Sequence, residues 1–167
     1  MLIRDLLLPE FDLEMANTRP FLERFPEDHL DWRPHPKSQT LQALVSHVAN
    51  IPTWTGIILG TAELDFAART DWKTPLVATQ AEALEAFDAH MAQARAVLAE
   101  ATDERFAETW TMRQGPKIFF TQPKTGVLRG FVFNHLVHHR AQLGVYLRLL
   151  DVPVPGAYGP TADEGRM

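Results

Sequence analysis

The chain has 167 residues, of which 46% are hydrophobic and 22% are charged, as in an ordinary globular domain. This length suits one domain with its own core, so we predict a single domain over residues 1–167. The net charge of -5 argues against a nucleic-acid partner, because such domains carry a basic excess. The sequence also has no Lys/Arg cluster and no glycine-rich phosphate-binding motif.

The chain contains no cysteine. This excludes disulfides, thiolate-rich zinc sites and a cysteine nucleophile. A thiol that takes part in any reaction must therefore arrive on a substrate or cosubstrate. The N-terminus does not resemble a signal peptide, and no apolar run reaches the roughly 18 residues of a membrane span. We predict a cytoplasmic protein.

The first two predicted helices are separated by a proline-rich loop. The first covers about residues 2–25, where internal prolines predict a kink or a late start near Pro9. The loop D-W-R-P-H-P-K-S-Q-T contains two X-Pro steps, which disfavour helix. The second helix is capped by Ser38 or Thr40 and continues until Gly60 ends it.

Two further helices follow. The third begins at a capping box formed by Thr79 and Glu82 and extends to about Ala101. Residues 108–121 predict irregular chain or a short hairpin around a Gly-Pro step, and the fourth helix covers about residues 125–150. Four long helices with such connectors predict an antiparallel bundle.

The stretch F-N-H-L-V-H-H-R-A-Q-L holds three of the seven histidines. Steps of four and three place one stripe of the fourth helix toward the bundle interior. On this stripe lie Leu128, Val132, His135, His139, Gln142, Tyr146 and Leu149. His138 points about 80° away from the pair. We therefore expect His135 and His139 to face inward, one turn apart, and His138 to lie on their flank.

The second helix offers a partner for this pair. His47 lies on a stripe shared with Leu44, Ile51, Trp54 and Ile58. Two imidazoles at i and i+4 can ligate one metal ion, and a third from a facing helix completes a three-histidine site. Gln142 follows His139 by about one turn and is placed to orient a ligand or bound water, whereas Arg140 is expected to anchor an acidic group on a neighbouring helix.

Other interpretations of the histidines remain open at this point. A buried histidine is often simply a hydrogen-bonded core residue, and this applies most readily to His47 taken alone. Haem ligation by His47 and a second histidine is a further alternative. For His29, His35 and His90 we expect solvated side chains, and for Trp54 and Tyr146 we expect core packing.

Several motifs resemble the DinB/YfiT-like superfamily of damage-inducible, metal-dependent enzymes, which is distinct from the lesion-bypass polymerase of the same name. They are D-W-R-P-H-P-K-S-Q-T-L, then L-x-x-H-V-A at residues 44–49, N-H-L-V-H-H-R-A-Q-L at residues 134–143, and the tail Y-L-R-L-L-D-V-P-V-P-G-A-Y-G-P-T-A-D-E. Together they cover nearly the whole chain. The usual R-G-Q after the second histidine of the pair is R-A-Q here.

This resemblance implies an all-α, antiparallel four-helix bundle with a long crossover and a short irregular or hairpin insert before helix four. It implies a homodimer and a divalent metal ion, typically nickel or zinc, held by His47, His135 and His139. Characterised members of the superfamily include thiol S-transferases and maleylpyruvate isomerases that use low-molecular-weight thiols.

We therefore expect a metal-dependent enzyme that acts on a small-molecule substrate, as a transferase using a low-molecular-weight thiol or as a hydrolase. The reacting group would be a metal-bound water or thiol, with Gln142 and Arg140 beside the metal ligands. The alternative is a non-catalytic, stress-related bundle in which the metal or a small ligand is bound for structure or sensing. Metal sequestration is a third option, which a single site serves poorly.

Overall fold

The computed structural model describes residues 1–69 and 74–165. These residues form seven α-helices, which are α1 (Ile3–Leu22), α2 (Leu41–Asn50), α3 (Trp54–Gly60), α4 (Gln80–Glu100), α5 (Asp103–Ala107), α6 (Lys124–Leu128) and α7 (His135–Leu149). The strands are β1 (Glu63–Asp65), β2 (Thr109–Gln114) and β3 (Lys117–Pro123). No helix within the described ranges is long and apolar enough to cross a membrane.

Helix α1 is one continuous helix from Ile3 to Leu22 and contains both Pro9 and Pro20. The expected late start near Pro9 is therefore wrong. A proline inside a helix costs about 3 kcal/mol, but the apolar face of α1 is fully buried at Phe11 and almost fully at Met15. Burying large side chains of this kind offsets such a cost.

The second predicted helix is present but interrupted. Thr40 caps α2, because its hydroxyl oxygen accepts a hydrogen bond from the Ala43 N–H at 3.1 Å. A 3₁₀ turn, Ile51–Thr53, contains Pro52 and separates α2 from α3. Proline has no N–H to continue the α-helical ladder, which explains the break. Helix α3 ends at Gly60, as predicted.

The capping box of α4 is formed with one displaced bond. The Thr79 hydroxyl accepts from the Glu82 N–H at 3.1 Å, whereas the Glu82 carboxylate accepts from the Ala78 N–H at 2.7 Å, one residue before the cap. The helix ends at Glu100, and α5, which follows it, was not predicted.

The predicted hairpin is present as β2 and β3, paired antiparallel. Its turn contains Gly115, whose φ of +55° is readily adopted by glycine. The sequence did not predict β1, which pairs parallel with β2 to complete a three-stranded sheet. The periodicity of a three-residue strand is too short to detect.

The fourth predicted helix consists of α6, a π-helical segment (Arg129–Asn134) and α7. These three elements follow one another without a gap and cover nearly the predicted range. The π-helical segment was not anticipated. It ends at Asn134, directly before His135, the first histidine of the pair.

Side-chain contacts define the helix directions. Helix α1 is antiparallel to α4, because Arg19 meets Asp88 at 3.1 Å while Asp12, earlier in α1, meets Arg95 at 2.8 Å. Helices α2 and α7 are also antiparallel: the Tyr146 hydroxyl donates to the Gln39 carbonyl at 3.1 Å, and His47, further along the chain, meets the start of α7.

Helices α1 and α7 run in the same direction. Phe11 packs edge-on against Phe133 with ring centroids 6.3 Å apart, and Glu14, later in α1, pairs with Arg140, later in α7. It follows that α2 and α4 are also parallel to each other. The connection between α3 and α4, which includes β1, is the long crossover of a four-helix bundle, as predicted.

The pair between Arg140 and Glu14 is buried in the bundle. The Arg140 guanidinium lies 2.9 Å from the Glu14 carboxylate, and their side chains are 2% and 8% exposed. Arg140 also donates to the Thr18 hydroxyl at 3.2 Å. The Tyr158 hydroxyl donates to Glu14 at 2.7 Å and accepts from Arg140 at 2.7 Å, which attaches the C-terminal tail to the same pair.

Replacing Glu14 should destabilise the protein strongly. Glu14→Gln leaves the Arg140 charge buried without a carboxylate, which we expect to lower the free energy of unfolding by about 3 kcal/mol. Asp12→Asn is the matched control, because Asp12 lies on the same helix as Glu14 but pairs with the half-exposed Arg95 of α4. It should cost less than about 1 kcal/mol. Urea denaturation followed by circular dichroism measures both. Equal losses in the two variants would contradict the prediction.

Candidate metal centre

Three histidines from two helices converge at one level of the bundle. His47 lies in the last turn of α2, His135 is the first residue of α7, and His139 follows it by one turn. One ring nitrogen of each histidine lies within 4.8 Å of those of the other two. The structure thus brings together the residues that the sequence singled out as metal ligands.

The rings pack closely against one another. The Nε2 atoms of His47 and His135 are 3.1 Å apart. The His139 ring centroid is 4.5 Å from that of His47 and 4.6 Å from that of His135. Nitrogens bound to one tetrahedral ion at 2.0–2.1 Å would be about 3.3 Å apart. The separation between His47 and His135 is close to this value, and all separations within the group are at most 4.8 Å.

The triad lies at the edge of the core rather than in its centre. All three histidines are half-buried. The fully buried stripe of α7 is displaced to one side of them and consists of Leu136, Arg140, Leu143 and Leu147. Gln142 and Leu149, predicted on the inward stripe, are exposed, so that part of the prediction is wrong. The edge position leaves the imidazoles accessible to small molecules.

Hydrogen bonds orient two of the three rings. The Gln142 Oε1 atom lies 2.7 Å from His139 Nδ1, which leaves Nε2 to face the other histidines. The His135 Nδ1 atom lies 3.4 Å from the Phe131 carbonyl oxygen in the π-helical segment. A ring hydrogen bond of this kind fixes the tautomer and orientation of a metal-ligating histidine.

Burial lowers the pKa of each triad histidine. For His47, burial and then the neighbouring His139 and His135 lower the pKa to about 4. Burial is also the main cause of the lowered pKa of His135 and of His139. All three rings are therefore neutral at pH 7, and a neutral imidazole has the lone pair that a metal ligand needs.

Two cavities open beside the triad. One has a volume of about 320 Å³ and is lined by Gly130, Phe131, Asn134, His135 and His138. The other, of about 280 Å³, is lined by Lys37, Ser38, Gln39, Leu44, His139, Gln142 and Tyr146. The described lining residues of both cavities include no carboxylate. Phe131 also packs against Trp54 and Phe120, with ring centroids 5.8 and 5.4 Å away, so an aromatic cluster supports this lining residue of the first cavity.

Comparison with known proteins identifies the family. A model of the DinB family matches residues 4–166. This chain belongs to the DinB family. It is 29% identical, over 162 residues, to the uncharacterised protein YrdA of Bacillus subtilis strain 168, covering 96% of this chain and 90% of YrdA.

Two solved structures share the fold of this DinB-family chain. A DinB-like protein, YjoA of Bacillus subtilis, superimposes with a TM-score of 0.69 at 16% identity, covering 91% of this chain and 97% of YjoA. A DinB-like protein from Bacillus cereus ATCC 10987 gives a TM-score of 0.65 at 19% identity and covers 90% of this chain and 95% of its own. The small three-stranded sheet is thus inserted in a DinB-like helical fold.

The other histidines of this DinB-family chain lie outside the triad. His138 is exposed and its ring lies 4.8 Å from that of His139. His29 and His35 are exposed, as expected. His90 is half-buried, with Nδ1 3.0 Å from the Ala49 carbonyl oxygen, so the expectation of a solvated side chain is wrong for this residue.

Arg140 and two unpredicted residues complete the description of the site. The described hydrogen bonds of Arg140 all go to α1 or to Tyr158, so it supports α7 from the face that packs on α1. Sequence reasoning did not single out Phe131, which contacts His135, or Lys37, which lines the polar cavity. Helical periodicity gives no signal for either, because one contributes a backbone carbonyl and the other lies in a loop.

The donor set fits a divalent transition metal. Imidazole suits zinc and nickel, and three neutral histidines with further positions open to solvent are typical of catalytic zinc sites. Among the described residues, no fourth histidine or carboxylate joins the group. A closed structural site would have such a ligand.

The low pKa of His47 should appear in the metal-free protein. The folded state keeps His47 neutral down to about pH 4, whereas the unfolded chain protonates it near pH 6.5. The contribution of His47 to stability is therefore complete above pH 6.5 and declines as the pH falls from 6.5 towards 4. NMR titration of the ring after chelation measures the pKa directly. In His47→Asn the free energy of unfolding should decline less over this interval; an equal decline would contradict the prediction.

Gln142→Ala should weaken metal binding without removing it. Loss of a hydrogen bond that orients a ligating histidine costs about 10- to 100-fold in metal affinity. Competition with a zinc chelator measures this change. Gln39→Ala is the matched control, because it removes an amide from the same cavity without touching the His139 ring, and it should stay within about twofold of the wild type. Unchanged zinc affinity in Gln142→Ala would count against the proposed ligand geometry.

Proposed function

We propose that this chain is a metal-dependent enzyme in which His47, His135 and His139 hold one divalent cation, zinc or nickel. The observation that supports this proposal is the convergence of three neutral imidazole nitrogens within 4.8 Å of one another. Two cavities adjoin the triad, and among the described residues no further protein ligand closes it. These features favour a catalytic site over a structural one.

The reaction we propose is transfer of a low-molecular-weight thiol to a small electrophilic substrate, with hydrolysis by water as the variant of the same chemistry. A bound divalent cation supplies Lewis acidity, which lowers the pKa of a water or thiol at an open position. The chain has no cysteine of its own, so the thiol comes from a cosubstrate. The described cavity linings also lack a carboxylate base, so nucleophile activation depends on the triad.

The residues around the triad have separate tasks in this proposal. Gln142 and the Phe131 carbonyl hold the rings of His139 and His135. Phe131 lines one cavity, is backed by Trp54 and Phe120, and offers an apolar surface to part of the substrate. The proposal also includes a homodimer. Exposed apolar residues on α7, Val145 and Leu149, support it, and light scattering on the purified protein tests it.

One observation favours a second candidate, a non-catalytic bundle that binds a metal or ligand for structure or sensing. The His47 and His135 Nε2 atoms are 3.1 Å apart, so one ring can donate a hydrogen bond to the other without an ion. In the form of this candidate that binds a ligand without a metal, the protein would remain folded and unchanged after chelation.

Metal analysis tests the metal site on which the proposed enzyme depends. The protein is purified without a histidine tag and its zinc and nickel are measured by mass spectrometry before and after loading. We expect about one equivalent in the wild type, and its loss in His135→Ala, because removing one of three ligands leaves two. His138→Ala removes a neighbouring imidazole that lies outside the triad and should retain the metal. A folded wild type that refuses both metals would refute the proposal.

A substrate screen then tests catalysis. Metal-loaded protein is incubated with small thiols and 1-chloro-2,4-dinitrobenzene, from which the thiol sulfur displaces chloride to form a coloured thioether. Nitrophenyl esters test the hydrolytic variant. We expect one of these activities to depend on the metal and to be abolished in His135→Ala. Full metal occupancy with no activity in either assay would favour the non-catalytic candidate.

A further inference from the structure

The 280 Å³ cavity differs in character from the one beside Phe131. Leu44 and Tyr146 form its apolar part, and the rest of its lining is polar: Lys37, Ser38, Gln39, Gln142 and His139. At roughly 30 Å³ per water molecule, its volume corresponds to about nine waters. This space accommodates a small polar group with a few carbon atoms and is too small for a macromolecular partner.

The backbone of this cavity is held in place while its polar side chains remain available. The Lys37 N–H donates to the His35 ring at 3.1 Å, and the Gln39 carbonyl accepts from Tyr146. Within residues 1–69 and 74–165, no described side-chain partner engages the Lys37 ammonium, the Ser38 hydroxyl or the Gln39 amide. Gln142 uses its oxygen on His139, which leaves its NH₂ group free to donate.

The available groups have the character of an anion site. Lys37 carries a positive charge, and the Ser38 hydroxyl and the Gln39 and Gln142 amides can all donate hydrogen bonds. The sequence contains 21 acidic residues, yet none is among the described lining residues. The sign of the charge in this cavity is therefore opposite to the net charge of -5 of the whole chain.

We propose that this cavity binds a carboxylate group of the substrate, with Lys37 as the residue that determines this specificity. One lysine and several neutral donors match the single charge of a carboxylate better than the higher charge of a phosphate. The role of this site in a reaction rests on the proposed function. Since His139 belongs to both the cavity and the triad, a carboxylate bound here places the adjoining part of the substrate beside the reacting centre.

Binding of propionate by the chelator-treated protein tests this inference directly. NMR titration follows the amide signals of residues 37–39 and the side-chain NH₂ of Gln142. We expect propionate to shift these signals, and isosteric but uncharged propionamide to bind at least about fivefold more weakly, because the charged hydrogen bond is lost. Raising the salt concentration should weaken the binding of propionate but not that of propionamide, because salt screens the charge of Lys37. Inorganic phosphate binding more tightly than propionate would overturn the carboxylate assignment.

Three variants identify the responsible group. Lys37→Met should lower the affinity for propionate by about fivefold or more. Lys37→Arg, which keeps the charge, should have an affinity within about twofold of the wild type. Lys117→Met removes the same charge from the distant hairpin and should bind propionate as the wild type does. The inference is refuted if propionate and propionamide bind equally, or if Lys37→Met and Lys117→Met behave alike.

The same titration on zinc-loaded protein separates this inference from the proposed function. If the wild type takes up no zinc, the proposed enzyme fails, but the titration of the metal-free protein still decides whether the Lys37 cavity binds a carboxylate. Suppose instead that the wild type and Lys37→Met take up the same amount of zinc, and that neither protein prefers propionate to propionamide. The metal centre is then supported and the carboxylate site is refuted.

Discussion

The antiparallel contact between α2 and α7 is the constraint on which the site depends. His135 and His139 are neighbours along one helix, but His47 joins them only because α2 crosses α7 at that level. The Tyr146–Gln39 hydrogen bond fixes the far end of the same contact, and it also holds the loop that carries Lys37. A shift of α2 by one turn, about 5.4 Å, would separate His47 from its partners.

The face of α7 that packs on α1 keeps this contact in register. Arg140 follows His139 directly and is therefore turned by about 100° from it. It is anchored to Glu14 and Thr18 of α1, so the rotation that places Arg140 between the helices also directs the histidines toward α2. Glu14 touches none of the triad rings in its described hydrogen bonds, yet through Arg140 it contributes to the geometry of the site.

The carboxylates that form ion pairs between helices lie away from the described residues around the triad. Carboxylates such as Asp12, Glu14 and Asp88 form ion pairs between helices, whereas the described residues around the triad offer neutral imidazoles, amides and one lysine. In the proposed metal site, a cation held by three neutral ligands would keep its full positive charge. Such a site favours anionic partners, whether a thiolate, a hydroxide or a carboxylate.

The sequence by itself determined the local features. Helical periodicity identified the four helical segments and the one-turn spacing of His135 and His139, and capping chemistry identified Thr40, because each depends only on residues close together in the chain. The stripe of the second helix also offered His47 as a third ligand, and the family motifs agreed with it and added the crossover to the expectation. Tertiary structure decided the half-buried edge position of the triad, the pairing of β1 with β2 and the cavity beside Lys37. These depend on how distant segments pack, which the pattern within one helix does not specify.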